Sequence, residues 1–84
     1  MSKMAVYLND KQIGNLQVDF IGYWREVGEY AEENDIQNTQ KISEINYRGN
    51  LADLMVTDND NLIIELSGYN VDDNDNLLEL IEIH

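Results

Sequence analysis

The first eighteen residues have the hydrophobic pattern of a β-hairpin. Residues 4–8 and 13–18 are short runs rich in β-forming side chains, and they flank a polar stretch of Asn9, Asp10, Lys11 and Gln12. Asn and Asp tolerate left-handed backbone and form side-chain turns, so this stretch is typical of a hairpin turn. We therefore predict two paired strands here.

From Phe20 onward the apolar spacing changes to that of an amphipathic helix. Apolar side chains recur three or four residues apart, at Phe20, Trp24, Val27 and Ala31. Asp19 is placed to cap the N-terminus of this helix, which we expect to run to about Asn34. The spacing predicts that the apolar stripe packs on a sheet and that Trp24 is buried between the two.

The second half of the chain has a strand-and-turn pattern. Residues 41–48 are predicted to form a strand ended by Gly49 and Asn50, with a short helix as the alternative. The segment Asp58-Asn59-Asp60-Asn61-Leu62 recurs fifteen residues later as Asp73-Asn74-Asp75-Asn76-Leu77. Each copy precedes an apolar stretch, as the tip of a hairpin would. Further strands are expected over residues 54–57, 62–67, 69–71 and 77–83.

These elements predict an α+β fold in a single domain of residues 1–84. Two strands, one helix and then several strands favour one amphipathic helix packed on an antiparallel, mostly meander β-sheet. Because the chain contains no proline, charged side chains must protect the sheet edges. We expect Asp53, Glu65, Glu79 and Glu82 to do so.

The net charge raises the question of a partner. Seventeen Asp and Glu face five Lys and Arg, which leaves a formal net charge of −12 at pH 7. A compact chain of 84 residues is about 30 Å across, and duplex DNA carries roughly 18 charges over that length. Self-repulsion on this scale destabilises a folded state. The acidity therefore indicates either a basic partner or a surface that is acidic only for solubility.

Few residues are suited to catalysis or to a tightly bound metal. There is no cysteine, and the one histidine is the last residue, His84, so no nucleophile has a well-held base. No phosphate-binding, dinucleotide or zinc motif is present. A calcium loop of the EF-hand type starting at Asp72 fails, because Leu77 and Ile83 occupy the places of its Gly and Glu. We expect no enzymatic activity, no cofactor and no metal site.

Three groups of carboxylates are candidates for partner contacts. Glu26, Glu29 and Glu33 form a stripe along the exposed side of the predicted helix, and acids near its C-terminus oppose the helix dipole. A broken local rule of this kind is often functional. Glu65 is expected to align with neighbours across the meander, and the hairpin tips add Asp58, Asp60, Asp72, Asp73 and Asp75. Together these residues are predicted to imitate an array of phosphates.

Several segments carry a resemblance to a known class of proteins. Ala5-Val6-Tyr7-Leu8-Asn9, Gly14-Asn15-Leu16-Gln17-Val18, the acidic helix and Ile45-Asn46-Tyr47 are similar to the opening of an ArdA-type antirestriction domain. In size, acidity and lack of catalytic residues the chain also resembles anti-CRISPR proteins and the uracil-DNA glycosylase inhibitor. The resemblance implies a stoichiometric inhibitor, carried by a phage or mobile element, that occupies the basic nucleic-acid groove of a host defence nuclease or CRISPR effector.

The expected partner is a basic nucleic-acid-binding protein of a bacterial host. We expect this chain to bind it as a monomer in the cytoplasm. With five scattered bases the chain is not expected to bind nucleic acid itself, and no apolar segment suggests a membrane. Two other classes stay open. An antitoxin or immunity protein would neutralise a basic toxin, and a small adaptor domain would be acidic only for solubility. Carboxylates clustered on one face would favour an inhibitor over an adaptor.

Overall fold

A computed structural model describes residues 2–84 and contains seven strands and one helix. In chain order these are β1 (Ser2–Leu8), β2 (Lys11–Val18), β3 (Phe20–Tyr23), α1 (Trp24–Glu33), β4 (Thr39–Tyr47), β5 (Asn50–Thr57), β6 (Leu62–Asn70) and β7 (Leu78–Glu82). All seven strands belong to one sheet, in which only the pairs β4–β7 and β3–β6 are parallel. The predicted α+β class is confirmed. So is the strand over residues 41–48, whereas its helical alternative is wrong.

The last strand does not continue the meander, contrary to the expectation from the sequence. The strand order is β2-β1-β7-β4-β5-β6-β3, so β7 lies between β1 and β4. It pairs antiparallel with β1 through Ala5 and Ile81, and parallel with β4 through Ile45 and Leu78. A true meander is therefore limited to β4, β5 and β6, and residues 71–77 form a crossover from β6 to β7 and not the predicted hairpin tip. Because it lies between β1 and β4, β7 joins the N-terminal hairpin to the meander. Leu80 at the centre of β7 is completely buried.

The prediction about edge protection is wrong as well. Asp53, Glu65, Glu79 and Glu82 lie on the inner strands β5, β6 and β7, while the edges are β2 and β3. The β2 edge has a bulge in its pairing with β1 and a lysine at its start, Lys11. The β3 edge is only four residues long. Short strands, bulges and lysines are alternative ways to prevent unwanted strand pairing.

The sheet is strongly curled. Strands β2 and β3 lie at opposite ends of the strand order, yet a single residue, Asp19, connects them. The backbone amide of Asp19 donates to the carbonyl of Leu62 on β6 at 2.8 Å. This bond fastens the connection between β2 and β3 to β6. The concave side encloses the main core, formed by Met4, Val6, Val18, Ile45, Tyr47, Ala52, Leu54, Ile64 and Leu80.

The helix packs on the convex side of the sheet. Val27 contacts Met55 and Ile63 there, and the rings of Phe20 and Tyr30 stack with their centroids 4.5 Å apart. This ten-residue helix is the longest in the described part of the chain, and it is too short to cross a membrane.

The helix begins four residues later than predicted. Residues 20–23 pair with β6 as strand β3, so Phe20 reaches the helix from the sheet and Asp19 does not cap it. Glu26 takes the capping role, because its carboxylate accepts the backbone N–H of Tyr23 at 3.0 Å. Trp24 becomes the first helical residue, where the chain turns off the sheet, and its side chain is 70% exposed. The predicted burial of Trp24 is therefore wrong.

Tyr47 supplies a test of this core. The side chain is buried, and its hydroxyl donates to the carboxylate of Glu82 in a partly buried hydrogen bond. Burial, followed by this hydrogen bond, raises the pKa of Tyr47. Stability from a raised tyrosine pKa is present below the unfolded value of about 10 and is lost as the pH rises through the folded value. We expect Tyr47→Phe to lower the free energy of unfolding at pH 7 by about 1–2 kcal/mol.

Denaturant unfolding at pH 7 and above pH 10 measures the free energy of unfolding of Tyr47→Phe and its decline at alkaline pH. The variant should also lose part of the decline in stability at alkaline pH. Tyr69→Phe is the matched control, because this side chain is 73% exposed and should change neither quantity. A Tyr47→Phe variant as stable as the parent would show that the bond to Glu82 contributes nothing.

Candidate functional site: a row of carboxylates beside the helix

Three carboxylates stand directly opposite one another on adjacent strands. Glu44 of β4 pairs with Asp53 of β5, which in turn pairs with Glu65 of β6. We call these three residues the carboxylate row. They share the convex face with the helix, since Asp53 and Glu65 lie two residues from Met55 and Ile63, which pack against the helix. Strands lie about 4.8 Å apart, so like charges are closely opposed, an arrangement that destabilises a sheet.

One lysine compensates part of the row. The Nζ of Lys41 lies 3.1 Å from Oε1 of Glu44 and 3.3 Å from Oδ1 of Asp53. Its hydrogen bonds, first to Glu44 and then to Asp53, raise the pKa of Lys41 above its usual value. Among residues 2–84 no ion pair reaches Glu65. The row therefore keeps a net negative charge, and within residues 2–84 its half-buried end at Glu65 has no ion-pair partner.

The first helical turn extends the row by one strand. Gly22 of β3 pairs with Glu65, and a Cβ at Gly22 would come within 2.9 Å of the Glu26 Cβ. A glycine is therefore required for the helix to approach the sheet this closely. Glu26 sits over that point, while Glu29 and Glu33 continue the exposed stripe along the helix. The predicted stripe is present, although Glu26 also has the structural role described above.

The first hairpin tip adjoins the end of the helix. The backbone amide of Gln37 donates to Asp58 Oδ2, and its side-chain amide donates to Asp35 Oδ1, each at 3.0 Å. These bonds hold the β5–β6 turn against the loop that follows the helix. Asp58 and Asp60 are exposed there. The structure thus brings one hairpin tip together with the helix stripe and the carboxylate row.

The second acidic segment, which the sequence predicts as a hairpin tip, lies at the opposite end of the sheet, in the crossover from β6 to β7. The 71–77 segment is fastened beside the β4–β5 turn, where the amide of Val71 donates to the carbonyl of Gly49 at 2.9 Å. The nine residues of β6 separate this crossover from the β5–β6 turn by about 30 Å. The crossover supplies the exposed residues Asp72, Asp73 and Asp75. The predicted site residues therefore form two groups rather than one array.

This second group surrounds an open cleft of about 360 Å³. Asp73 and Asp75 line it together with Asp10 of the first hairpin turn and Glu79 of β7. Asp72 is engaged locally, since its Oδ1 accepts the amide of Asn74 at 2.9 Å. In the described part of the chain no three Asp, Glu or His side chains are grouped closely enough to hold a metal ion.

Sequence reasoning misses two members of the carboxylate row and the exposure of Trp24 beside it. Glu44 carries no local signal, and Asp53 is expected at a sheet edge, because opposition across strands depends on a register that only pairing defines. Tyr23, Trp24 and Tyr69 are 49%, 70% and 73% exposed. A signal for the uneven charge is present in the sequence, since fifteen of the seventeen acids follow Arg25 and only Asp10 and Asp19 precede it.

The chain was compared with models of protein families, with curated proteins and with solved structures. None of the three comparisons produced a match. The fold and the acidic surface are accordingly interpreted from their own geometry and charge.

Proposed function

We propose that this protein is an acidic, stoichiometric inhibitor that mimics nucleic acid and occupies the basic groove of a host defence nuclease, in the manner of anti-CRISPR or antirestriction proteins. The observation that carries the proposal is the carboxylate row. Glu44, Asp53 and Glu65 repel one another across neighbouring strands. Binding of the row by a partner would explain why the sequence contains so unfavourable an arrangement.

The dimensions of the molecule support mimicry of a single strand of nucleic acid. Its longest axis measures 36 Å. A DNA strand with one charge per 3.4 Å would carry about 11 charges over that length, against the net charge of −12 on this chain. A groove lined with Lys and Arg to hold one strand would therefore meet a comparable charge on this protein.

Exposed aromatic residues beside the row support a protein partner. Trp24 begins the helix, and the ring of Tyr23 lies within 3.9 Å of the position a Cβ would take at Gly68, next to Tyr69. Large exposed aromatic side chains are enriched at the energetic centres of protein interfaces. An acidic surface with aromatic anchors fits a basic protein better than it fits solvent alone.

The proposal also covers the partner, the oligomeric state and the cellular compartment. The partner is a basic nucleic-acid-binding protein of a bacterial cell, the inhibitor acts as a monomer in the cytoplasm, and it neither catalyses a reaction nor binds nucleic acid or cofactors. Opposite charges would speed the encounter at low ionic strength. Salt would weaken it, because the Debye length shrinks from about 10 Å at 0.1 M to about 3 Å at 1 M.

Phage plating provides the test. The protein is expressed in bacterial strains that carry one restriction or CRISPR system each, and the plating efficiency of a targeted phage is measured. We expect protection of the phage in at least one strain. The purified nuclease should then bind the protein one to one, and its DNA or RNA should compete for the same groove. A stable ternary complex, or an affinity that salt does not change, would contradict nucleic-acid mimicry and favour an antitoxin-like partner.

A further inference from the structure

A second feature of the helix-bearing face is a cleft between the helix and the segment leading into β4. It has a volume of about 350 Å³. Trp24, Val27 and Ala31 line it from the helix, Ile36 lines it from the following loop, and Glu65 contributes a carboxylate. The 37–39 segment adds polar side chains on the far wall. The cleft thus combines an apolar wall on the helix side with one acidic group, which is the half-buried end of the carboxylate row.

Glu65 is the acidic group in this cleft that lacks compensation. Asp53 stands directly opposite it on β5, while Lys41 contacts Asp53 and Glu44. Within residues 2–84 no cation pairs with Glu65. A half-buried carboxylate beside a second carboxylate gains strongly from an incoming cation, because removing water from both strengthens their attraction.

Trp24 adds a preference for one kind of cation. Its ring is 70% exposed, and the guanidinium carbon of Arg25 lies 5.8 Å from the ring centroid. A guanidinium group can therefore approach this exposed ring within the range of a cation–π interaction. A planar guanidinium can stack on an indole and bind a carboxylate through two parallel hydrogen bonds, whereas an ammonium group does neither.

We propose that this cleft binds an arginine side chain presented by the basic partner, an inference that rests on the proposed function. The aliphatic stem of the arginine lies along Val27 and Ala31. Its guanidinium group pairs with Glu65 and stacks against Trp24. The charge of the surrounding surface selects a basic segment, and the shape and chemistry of the cleft select arginine over lysine within it.

Two peptides of equal charge test the preference. Isotope-labelled protein is titrated with hexa-arginine and with hexa-lysine, and the indole N–H resonance of Trp24, the only tryptophan in the chain, is followed by NMR. We expect hexa-arginine to bind about tenfold more tightly, which corresponds to about 1.4 kcal/mol, and to shift the Trp24 resonance. Hexa-lysine should shift exposed acidic residues over the whole surface instead.

Two variants test whether Glu65 and Trp24 cause the preference for arginine. Glu65→Gln should abolish the tenfold preference, whereas Glu79→Gln should preserve it. Glu79 is the matched control, since it is also half-buried and on an inner strand but lies outside the cleft. Trp24→Ala gives a second variant whose folding is not in question, because the side chain is largely exposed. It should reduce the preference, and Tyr69→Ala should not.

The outcomes separate this inference from the proposed function. Equal affinity for the two peptides, or equal loss in Glu65→Gln and Glu79→Gln, would overturn the arginine site while leaving inhibition by a general acidic surface intact. Protection of phage with no arginine preference would likewise overturn the arginine site alone. A clear arginine preference without protection in any strain would instead overturn the nuclease inhibitor and keep the site.

Discussion

Neutralising two members of the carboxylate row is expected to weaken partner binding by about 100-fold or more while leaving the fold intact. The variant combines Asp53→Asn with Glu65→Gln. Each replaced group would lose a charge-assisted contact of about 1.5–3 kcal/mol, and a tenfold change in affinity corresponds to about 1.4 kcal/mol. The nuclease identified by phage plating is the ligand, and calorimetry or surface binding measures the affinity.

Stability should change by less than about 1 kcal/mol in that variant, because two effects oppose each other. Removing like charges that face one another across β5 and β6 relieves repulsion. Removing Asp53 as a partner of Lys41 loses an exposed ion pair of similarly small value. The loss of two negative charges also reduces the self-repulsion of a chain at net −12.

A matched variant distinguishes the row from total charge. Asp72→Asn with Asp75→Asn removes the same charge from the β6–β7 crossover at the other end of the sheet. Asparagine at position 72 still accepts the amide of Asn74, so the turn is preserved. If the row makes the contacts, this control should bind nearly as the parent does. An equal loss of affinity in both variants would show that net charge, and not the row, determines binding.

The largest effect on stability is expected at Leu80. This residue is fully buried at the centre of β7, which connects the N-terminal hairpin to the meander. Leu80→Ala should lower the free energy of unfolding by about 2–5 kcal/mol, a large part of the roughly 5–15 kcal/mol typical of a small domain. The midpoint of thermal unfolding should fall by roughly 10–30 °C.

Ile81→Ala is the control for that experiment. Ile81 is the next residue in the same strand, but its side chain points to the other face and is 45% exposed. Its truncation should lower stability by less than about 1 kcal/mol. Equal effects of the two variants would contradict the assigned register of β7. Added salt should partly restore the stability of the Leu80→Ala variant, because salt screens the repulsion among carboxylates.

Local patterns predict most of the elements but not how they assemble. The β-forming residues of 41–48 identify β4, and the stretches at 9–12 and 58–61 identify the β1–β2 and β5–β6 hairpin turns. The second Asp-Asn stretch, at 73–76, lies instead in the crossover from β6 to β7. Residues 20–23 show where local reasoning fails. Phe20 and Trp24 have helical spacing, yet Phe20 belongs to β3 because pairing with β6 and stacking on Tyr30 outweigh a preference that is weak in isolation. The same error displaces the helix start and places Trp24 in the core.

The candidate site is predictable to a similar extent. The spacing of Glu26, Glu29 and Glu33 is enough to predict a shared helix face, since residues three and four apart on a helix are neighbours whatever surrounds them. The alignment of Glu65 with neighbours on other strands is expected from the sequence, but the identity of those neighbours is not. Glu44 and Asp53 lie 21 and 12 residues before it in the chain, and nothing local specifies which residues of separate strands stand opposite.

The amino-acid sequence by itself determined the acidity, the α+β class, the turns and the exposed helix stripe, because each follows from composition or from interactions among near neighbours. Tertiary structure alone decided the insertion of β7 between β1 and β4, the exposure of Trp24 and the opposition of Glu44, Asp53 and Glu65. It also made the second acidic repeat a crossover and separated it from the β5–β6 hairpin turn by the length of β6. These features depend on strand pairing between distant segments, whose order is chosen by burial of the whole core and not by any single stretch of chain.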